Sequence, residues 1–118
     1  MAWKTKLTEL LSIDYPIIQG GMAYISDGVL AAAMAHAGCA GVIGSGGFTT
    51  DEVRDNIHRA RDILGPKGIY GVNLMLQSPT AEEAASILIE EKVEVVTTGA
   101  GMPTKFMPMW LDAGIKVI

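Results

Sequence analysis

The stretch Val93-Glu94-Val95-Val96-Thr97-Thr98-Gly99-Ala100-Gly101 shows how this chain is built. It begins as a largely apolar, β-branched run, which is typical of a buried strand, and it ends in small polar residues and glycines, which are typical of a loop. The same succession recurs along the chain, and further strands are indicated near Pro16, Gly41, Tyr70 and Ile115. A helical pattern separates each strand from the next, at a repeat of about twenty residues. The sequence therefore predicts βα units that pack as a parallel α/β sheet.

The length of the chain limits how far this pattern can extend. A closed (β/α)8 barrel typically needs about 250 residues, whereas this chain has 118 and holds about four βα units plus the start of a fifth strand at Ile115 to Ile118. We therefore predict that residues 1–118 form the N-terminal half of a TIM-barrel domain, an incomplete barrel without a separate second domain. A flavodoxin-like open sheet is the alternative shape. Because an open parallel sheet leaves an unpaired edge, we also expect a homo-oligomer.

Composition narrows the class of protein. Apolar residues make up 49% of the chain and charged residues 19%, and the net charge of −4 argues against nucleic acid as a partner. The single cysteine, Cys39, excludes an intrachain disulfide and is compatible with a reducing compartment. No apolar run approaches the length of a membrane span, and the first residues do not read as a signal peptide. The expected location is therefore the cytoplasm, without membrane contact.

The first residues of the chain predict a short helix followed by a strand. Leu7, Leu10 and Leu11 lie at helical spacing, so a helix is expected over Lys4 to Ser12 with these leucines in the core. The first strand is expected over Pro16 to Gln19, since a strand tolerates proline at its start.

Two later helices carry the same start signal. Thr49 is followed by Glu52, and Thr80 is followed by Glu83, which is the spacing of a capping box. Both pairs are therefore expected to cap the helices that follow them.

The carboxyl ends of the strands are where parallel α/β folds bind ligands. Four such ends are present, namely Gln19-Gly20-Gly21-Met22-Ala23, Gly44-Ser45-Gly46-Gly47, Asn73-Leu74-Met75-Leu76 and Thr97-Thr98-Gly99-Ala100-Gly101. None contains a titratable side chain, so we predict neither a metal site nor a general acid or base there. They offer backbone N–H groups, amides, hydroxyls and flat apolar surface, which suit a large planar cofactor that carries the chemistry itself.

Three motifs in register give the chain a family resemblance. The stretch Ile13-Asp14-Tyr15-Pro16-Ile17-Ile18-Gln19-Gly20-Gly21-Met22-Ala23 resembles the opening of the nitronate monooxygenase superfamily, formerly called 2-nitropropane dioxygenases. Gly71-Val72-Asn73-Leu74-Met75 and Val95-Val96-Thr97-Thr98-Gly99-Ala100-Gly101 fit the same family. The Thr-Thr-Gly-Ala-Gly form looks most like one branch, the FMN-dependent enoyl-acyl-carrier-protein reductase (enoyl reductase II). The resemblance covers nearly the whole chain.

This resemblance implies an FMN-binding TIM barrel and a set of residues around the flavin. The backbone of Gly21, Met22 and Ala23 would lie against the isoalloxazine ring, and Asn73 would hydrogen-bond the polar pyrimidine edge of the ring. The remaining residues implied to line the same side are Ser45, Gly46 and Thr97.

The resemblance also implies an activity. NADH or NADPH would reduce the FMN, which would pass hydride to the β-carbon of a trans-2-enoyl thioester on acyl carrier protein, in fatty acid synthesis. The alternatives are a nitronate monooxygenase and a non-catalytic half-barrel fragment. The family's FMN phosphate loops and active-site histidine are expected beyond Ile118, so no catalytic residue is assigned here. His36 and His58 fall on predicted helices and are expected to be ordinary helix residues.

Three assignments stay open at this point. Gly44-Ser45-Gly46-Gly47 precedes a helix and could cradle a phosphate, although a tight turn beside the flavin fits its spacing better. Gln19 is either a site residue or a core amide with its hydrogen bonds satisfied. Thr97 and Thr98 alternate sides of their strand, and we expect Thr97 to face the barrel mouth.

Overall fold

The computed structural model of the chain describes residues 2–65 and 68–118. Within them the helices are α1 (Lys6–Leu11), α2 (Gly28–His36), α3 (Thr50–Leu64), α4 (Ala81–Glu90) and α5 (Met107–Asp112), with a 3₁₀ turn at Pro103–Lys105. The strands are β1 (Gly41–Gly44), β2 (Tyr70–Met75), β3 (Val95–Gly99) and β4 (Lys116–Val117). They pair in the order β1-β2-β3-β4, and every pair is parallel. The predicted α/β class and its βα repeat are confirmed.

The first predicted strand is reduced to one bridge. Ile18 forms an isolated parallel bridge with Ala40, next to β1, instead of a ladder over Pro16 to Gln19. One residue later the side chain of Gln19 replaces the backbone, because its Oε1 accepts from Val42 N at 3.1 Å and its Nε2 donates to Val42 O at 3.1 Å. The prediction was right about position and wrong about extent, since an amide side chain completes the pairing.

The two faces of the sheet are covered differently. Ile43, Val72 and Val96 pack against α2 to α5 in the main core. A smaller cluster around Leu11, Ala40 and Val95 lies under α1, with Leu7 packed against it. Thus α1 closes the amino end of the sheet, whereas the carboxyl ends stay accessible. The expectation for Leu10 was wrong, because its side chain is 53% exposed.

Close contact between α2 and β1 depends on a glycine. A Cβ built on Gly41 would lie 2.0 Å from the carbonyl oxygen of Ala31, which is backbone and cannot move aside. Ala31 and Ala32 are fully buried in this contact. The small residues of α2 therefore allow the helix to pack directly on β1, the strand that leads into the turn Gly44 to Gly47.

One of the two predicted capping boxes is confirmed. Thr49 Oγ1 accepts from Glu52 N at 3.2 Å, and Thr49 N donates to Glu52 Oε2 at 2.8 Å. The second prediction was wrong, because Thr80 makes no side-chain cap bond to α4. Its hydroxyl lies 3.0 Å from the hydroxyl of Ser78, and Glu83 instead accepts from Thr50 across to α3.

The last elements follow the sequence closely. Pro108 falls in the first turn of α5, where a missing N–H is tolerated. The fifth strand is present as Lys116–Val117, slightly shorter than Ile115 to Ile118. Gly65 followed by Pro66 is a sequence signal for the end of α3, and Pro66 lies outside the described residues. No helix within residues 2–65 and 68–118 combines the length and the hydropathy of a bilayer-spanning segment.

Glu91, at the end of α4, forms ion pairs with side chains of α3. These contacts lead us to expect that the stability of the fold depends on pH. Burial alone would raise the pKa of the Glu91 carboxyl group, but hydrogen bonds from Arg54, His58 and Arg61 hold the pKa below its ordinary value of 4.5. A lowered pKa in the folded state contributes stability above about pH 4.5 that is lost as the pH falls through the folded value. We expect Glu91→Gln to lower the free energy of unfolding by about 1 kcal/mol at pH 6, since the partners are partly exposed to solvent.

Urea unfolding of both proteins at pH 6 and at pH 3 tests this expectation. The difference between them should shrink at the lower pH, whereas the same change at Glu9, which makes no ion pair in the described part of the chain, should have little effect at either pH. A difference that stays constant with pH would contradict the linkage.

Candidate functional site

A cavity of about 260 Å³ opens at the carboxyl ends of the strands. It is lined by Gly21, Ala23, Gly44, Gly46, Asn73, Met75, Gly99 and Ala100. Four of the residues predicted for a site, namely Gly21, Ala23, Gly46 and Asn73, therefore come together there. The other four lining residues lie in strand ends that the sequence singled out. The flexible thioether of Met75 suits a cavity wall, whereas nothing in the residue types of Gly44, Gly99 and Ala100 distinguished them from their neighbours.

Two glycines allow the chain to approach itself at this cavity. A Cβ on Gly21 would lie 2.5 Å from Cβ of Asn73, a distance that real atoms do not occupy. A Cβ on Gly44 would lie 2.8 Å from the carbonyl oxygen of Met22. The loop after the first strand position therefore lies directly over β1 and β2, and the wall of the cavity there is bare backbone.

Asn73 is held in place by Thr97. The hydroxyl of Thr97 donates to Oδ1 of Asn73 at 2.8 Å, so the two side chains lie on the same side of the sheet, while the expectation that Thr97 faces the barrel mouth stays a prediction. Nδ2 of Asn73 has no hydrogen-bond partner among the described residues, although Asn73 is only partly exposed. A half-buried amide with two free donors can bind an acceptor on a ligand. Thr97 does not line the cavity and reaches it through Asn73.

Ser45 and Met22 were predicted to lie at the site, but neither is among the residues that line the cavity. Ser45 is buried, and its Oγ accepts from Met75 N at 3.4 Å, so its hydroxyl continues the pairing of β1 with β2. Met22 N donates to Ser26 Oγ at 2.8 Å, while its side chain is 42% exposed. Neither side chain lines the cavity, and a direct role for either in ligand binding stays a prediction.

Gln19 is an amide whose hydrogen bonds are satisfied within the chain. Besides Val42, its Nε2 donates to Ser26 Oγ at 2.9 Å. Ser26 directly precedes Asp27, which caps α2 by accepting from Leu30 N. Ser26 is fully buried, and its hydroxyl bonds Gln19, Gly20 and Met22 in the segment before α2. No pattern in the sequence signals this role.

The segment Gly44-Ser45-Gly46-Gly47 is a tight turn. Phe48 N donates to Ser45 O at 3.2 Å, and Gly47 has a φ of +83°. The ring of Tyr24 fills the space beside Gly47, since a Cβ there would lie 2.4 Å from Tyr24 Cζ. These contacts favour the turn over the phosphate cradle. His36 and His58 lie on α2 and α3, and His58 Nε2 lies 2.9 Å from Glu91.

The chemistry of the cavity follows from its lining. The lining side chains are an amide, a thioether and methyl groups, and the rest of the wall is glycine backbone. Such a surface can bind a flat, uncharged ring through neutral donors and dispersion contacts, but it holds no group that transfers a proton. The isoalloxazine of FMN fits this donor set, because its pyrimidine edge is rich in acceptors and its face is apolar.

Comparisons with known proteins identify the family of the chain. The family model described as nitronate monooxygenase matches residues 4–118. The solved structure of FabK from Thermotoga maritima has a TM-score of 0.93 and 43% identity, over 98% of this chain and 37% of that one. A probable nitronate monooxygenase of Staphylococcus aureus is 37% identical over 84 residues, which is 71% of this chain and 23% of the relative.

A third relative is named for a different reaction. An octahydro-indene-carboxyl-CoA dehydrogenase of Mycobacterium tuberculosis is 29% identical over 118 residues, all of this chain and 33% of the relative. The chain thus spans about a third or less of the curated relatives it matches. FabK, which it resembles in structure, is a TIM-barrel enzyme, so the sheet described above corresponds to part of such a barrel. With residues 4–118 matched, the chain belongs to the nitronate monooxygenase family.

Proposed function

We propose that the cavity at the strand ends binds the isoalloxazine ring of FMN, and that the whole protein is an FMN-dependent oxidoreductase. One observation carries the proposal: Asn73 presents an unpaired Nδ2, fixed by Thr97, beside a wall of glycine backbone. The backbone at Gly21 leaves the face of a ring unobstructed, and the amide supplies a directed donor at its edge. When bound, FMN supplies the hydride chemistry that the lining residues lack.

In this proposal, the residues of this chain bind and orient the flavin ring. Asn73 fixes the pyrimidine edge of the ring, and Thr97 fixes Asn73. Met75 lines the cavity with a partly exposed thioether, which can adapt to an apolar substrate and help to exclude water. Because no lining residue carries a titratable side chain, the proton that accompanies hydride transfer comes from a group outside the lining.

The proposed substrate is a trans-2-enoyl thioester carried on acyl carrier protein, with NADH or NADPH as reductant, in fatty acid synthesis. The 43% identity to FabK supports this branch. A relative named for a carboxyl-CoA substrate also supports a thioester. Oxidation of alkyl nitronates is the second candidate, favoured by the family match and by the Staphylococcus aureus relative. A non-catalytic half-barrel is the third, favoured by the share of the relatives' length that the chain spans.

FMN binding is the first experiment. The 118-residue chain is incubated with FMN, desalted, and examined by visible absorption and flavin fluorescence. A retained yellow chromophore with shifted bands supports the proposed site. A colourless protein, together with unquenched flavin fluorescence in a titration, would contradict it for this chain and leave the half-barrel reading.

The amide of Asn73 makes a specific prediction. We expect Asn73→Ala to weaken FMN binding about tenfold, the effect of one or two lost hydrogen bonds. The matched control is Asn56→Ala, which removes an amide that bonds Gly28 N and Glu52 O on the helix side, away from the cavity. Both variants are titrated with FMN by fluorescence quenching. Equal affinities for Asn73→Ala and the unchanged chain would remove Asn73 from the site.

The two enzyme candidates are separated by their co-substrates. The FMN-loaded protein is given NADH or NADPH with crotonyl thioester, and separately a primary alkyl nitronate with oxygen. Enoyl-dependent oxidation of the nicotinamide supports the reductase, whereas oxygen uptake with nitronate supports the monooxygenase.

A further inference from the structure

The loop that forms one wall of the cavity is anchored by two side chains that do not line it. Gln19 to Asp27 connect the bridge at Ile18 to α2, and within them the loop Gly20 to Ala23 includes two lining residues. The anchoring network consists of the side chains of Gln19 and Ser26 and the backbone of Val42 in β1.

The hydroxyl of Ser26 uses its full hydrogen-bonding capacity. It accepts from Met22 N at 2.8 Å and from Gln19 Nε2 at 2.9 Å, and it donates to Gly20 O at 3.3 Å. A serine hydroxyl has one donor and two acceptor positions, so none remains for solvent or for a ligand. Its exposed fraction is 0%. Ser26 is therefore committed to holding the loop at two points.

The backbone of Ser26 fixes the same loop to β1. Ser26 N donates to Met22 O at 2.9 Å, and Gly44 N donates to Ser26 O at 2.9 Å. Gln19 ties the start of the loop to both the N–H and the C=O of Val42. The N–H groups of Gly21 and Ala23 have no acceptor in the described part of the chain, so the network orients them while leaving them free.

From these contacts we infer that Ser26 and Gln19 are positioning residues, which hold the N–H groups of Gly21 and Ala23 in a ligand-ready arrangement at the cavity. The inference rests on the proposed function for the identity of the ligand. A preorganised loop binds more tightly because the ligand does not have to order it. The loss of the hydroxyl of Ser26 frees the loop without removing any atom that lines the cavity.

The test compares Ser26→Ala with Thr8→Ala in the 118-residue chain. Thr8 is the matched control, because its hydroxyl is buried and saturated in the same way, by Trp3 O and Thr5 N, but lies in α1 at the opposite end of the sheet. Unfolding in urea measures the stability of both variants. Backbone ¹⁵N relaxation measures the order of the Gly21 and Ala23 amides, and fluorescence quenching measures FMN affinity.

We expect order parameters near 0.85 at Gly21 and Ala23 to fall below about 0.6 in Ser26→Ala, and FMN affinity to fall about tenfold. Thr8→Ala should lose comparable stability with neither effect. If Ser26→Ala does not fold, Gln19→Glu replaces it, because a carboxylate keeps the shape but cannot donate to Val42 O or Ser26 Oγ. Unchanged order at both amides, or equal loosening in Thr8→Ala, would overturn the inference. Absence of FMN binding by the unchanged chain would instead count against the proposed function, while the order parameters still decide the role of Ser26.

Discussion

Trp110→Ala is expected to lower the free energy of unfolding by about 3–5 kcal/mol, the cost of removing a large buried aromatic side chain. The indole of Trp110 is 0% exposed in the main core. It packs on the ring of Phe106 with the ring centroids 5.4 Å apart, and its Nε1–H donates to Ala85 O at 3.2 Å. Within residues 2–65 and 68–118, no other buried residue of α5 donates a side-chain hydrogen bond to α4.

The loss of stability in Trp110→Ala should include more than the contacts of the indole. The helix α5 has six residues, too few to be stable without tertiary contacts. Ile115 N donates to Trp110 O at 2.9 Å directly before β4, so detachment of α5 also loosens the outer strand. A domain with a total stability of about 5–15 kcal/mol would lose a large share of it.

Urea denaturation followed by far-UV circular dichroism measures this effect, because fluorescence would change with the indole itself. Trp3→Ala is the matched control, since its indole is 61% exposed and a surface change of this kind shifts stability by about 0.5 kcal/mol or less. A midpoint for Trp110→Ala close to that of the control would mean that α5 does not depend on the core.

The strands were predictable because they are short, largely apolar runs, two of which, β1 and β3, end in glycine, and because burial on both faces of a parallel sheet demands apolar runs. The extent of the first strand was not predictable. Gln19 reads in sequence as a polar strand end, and only the structure shows its amide in place of a peptide group. The capping box at Thr80 failed for a related reason, because Ser78 competes for its hydroxyl.

The sequence predicted the location of the site, at the carboxyl ends of the strands, better than it predicted which side chains form it. Asn73 stood out because a polar residue inside an apolar run needs a partner, and Thr97 supplies that partner. Ser26 did not stand out, because serine before a helix is ordinarily a cap. Its role depends on Met22 and Gln19 converging on one hydroxyl, which is a property of the folded loop.

Gly21→Ala should reduce FMN affinity most among the cavity variants, to about one hundredth of the original value. The added methyl group would lie 2.5 Å from Cβ and 3.2 Å from Cγ of Asn73, so either the loop or the amide must shift. Overpacking of this kind costs about 1–3 kcal/mol, and the upper value corresponds to roughly a hundredfold in a binding constant. Both possible shifts disturb the proposed contacts, since the loop supplies the backbone wall and Asn73 supplies the donor.

Gly20→Ala separates this steric effect from a change in chain flexibility. A Cβ on Gly20 would meet no atom within 4 Å, and both glycines belong to the same loop. Both changes restrict the unfolded chain to the same degree, so any difference in FMN affinity between the variants reports the contact with Asn73. Titration of the two variants by flavin fluorescence should show a large loss only for Gly21→Ala. If the two variants bind FMN with equal affinity, the flavin ring does not lie against Gly21 and Asn73. A ring bound there would be affected by the displacement of Asn73 or of the loop.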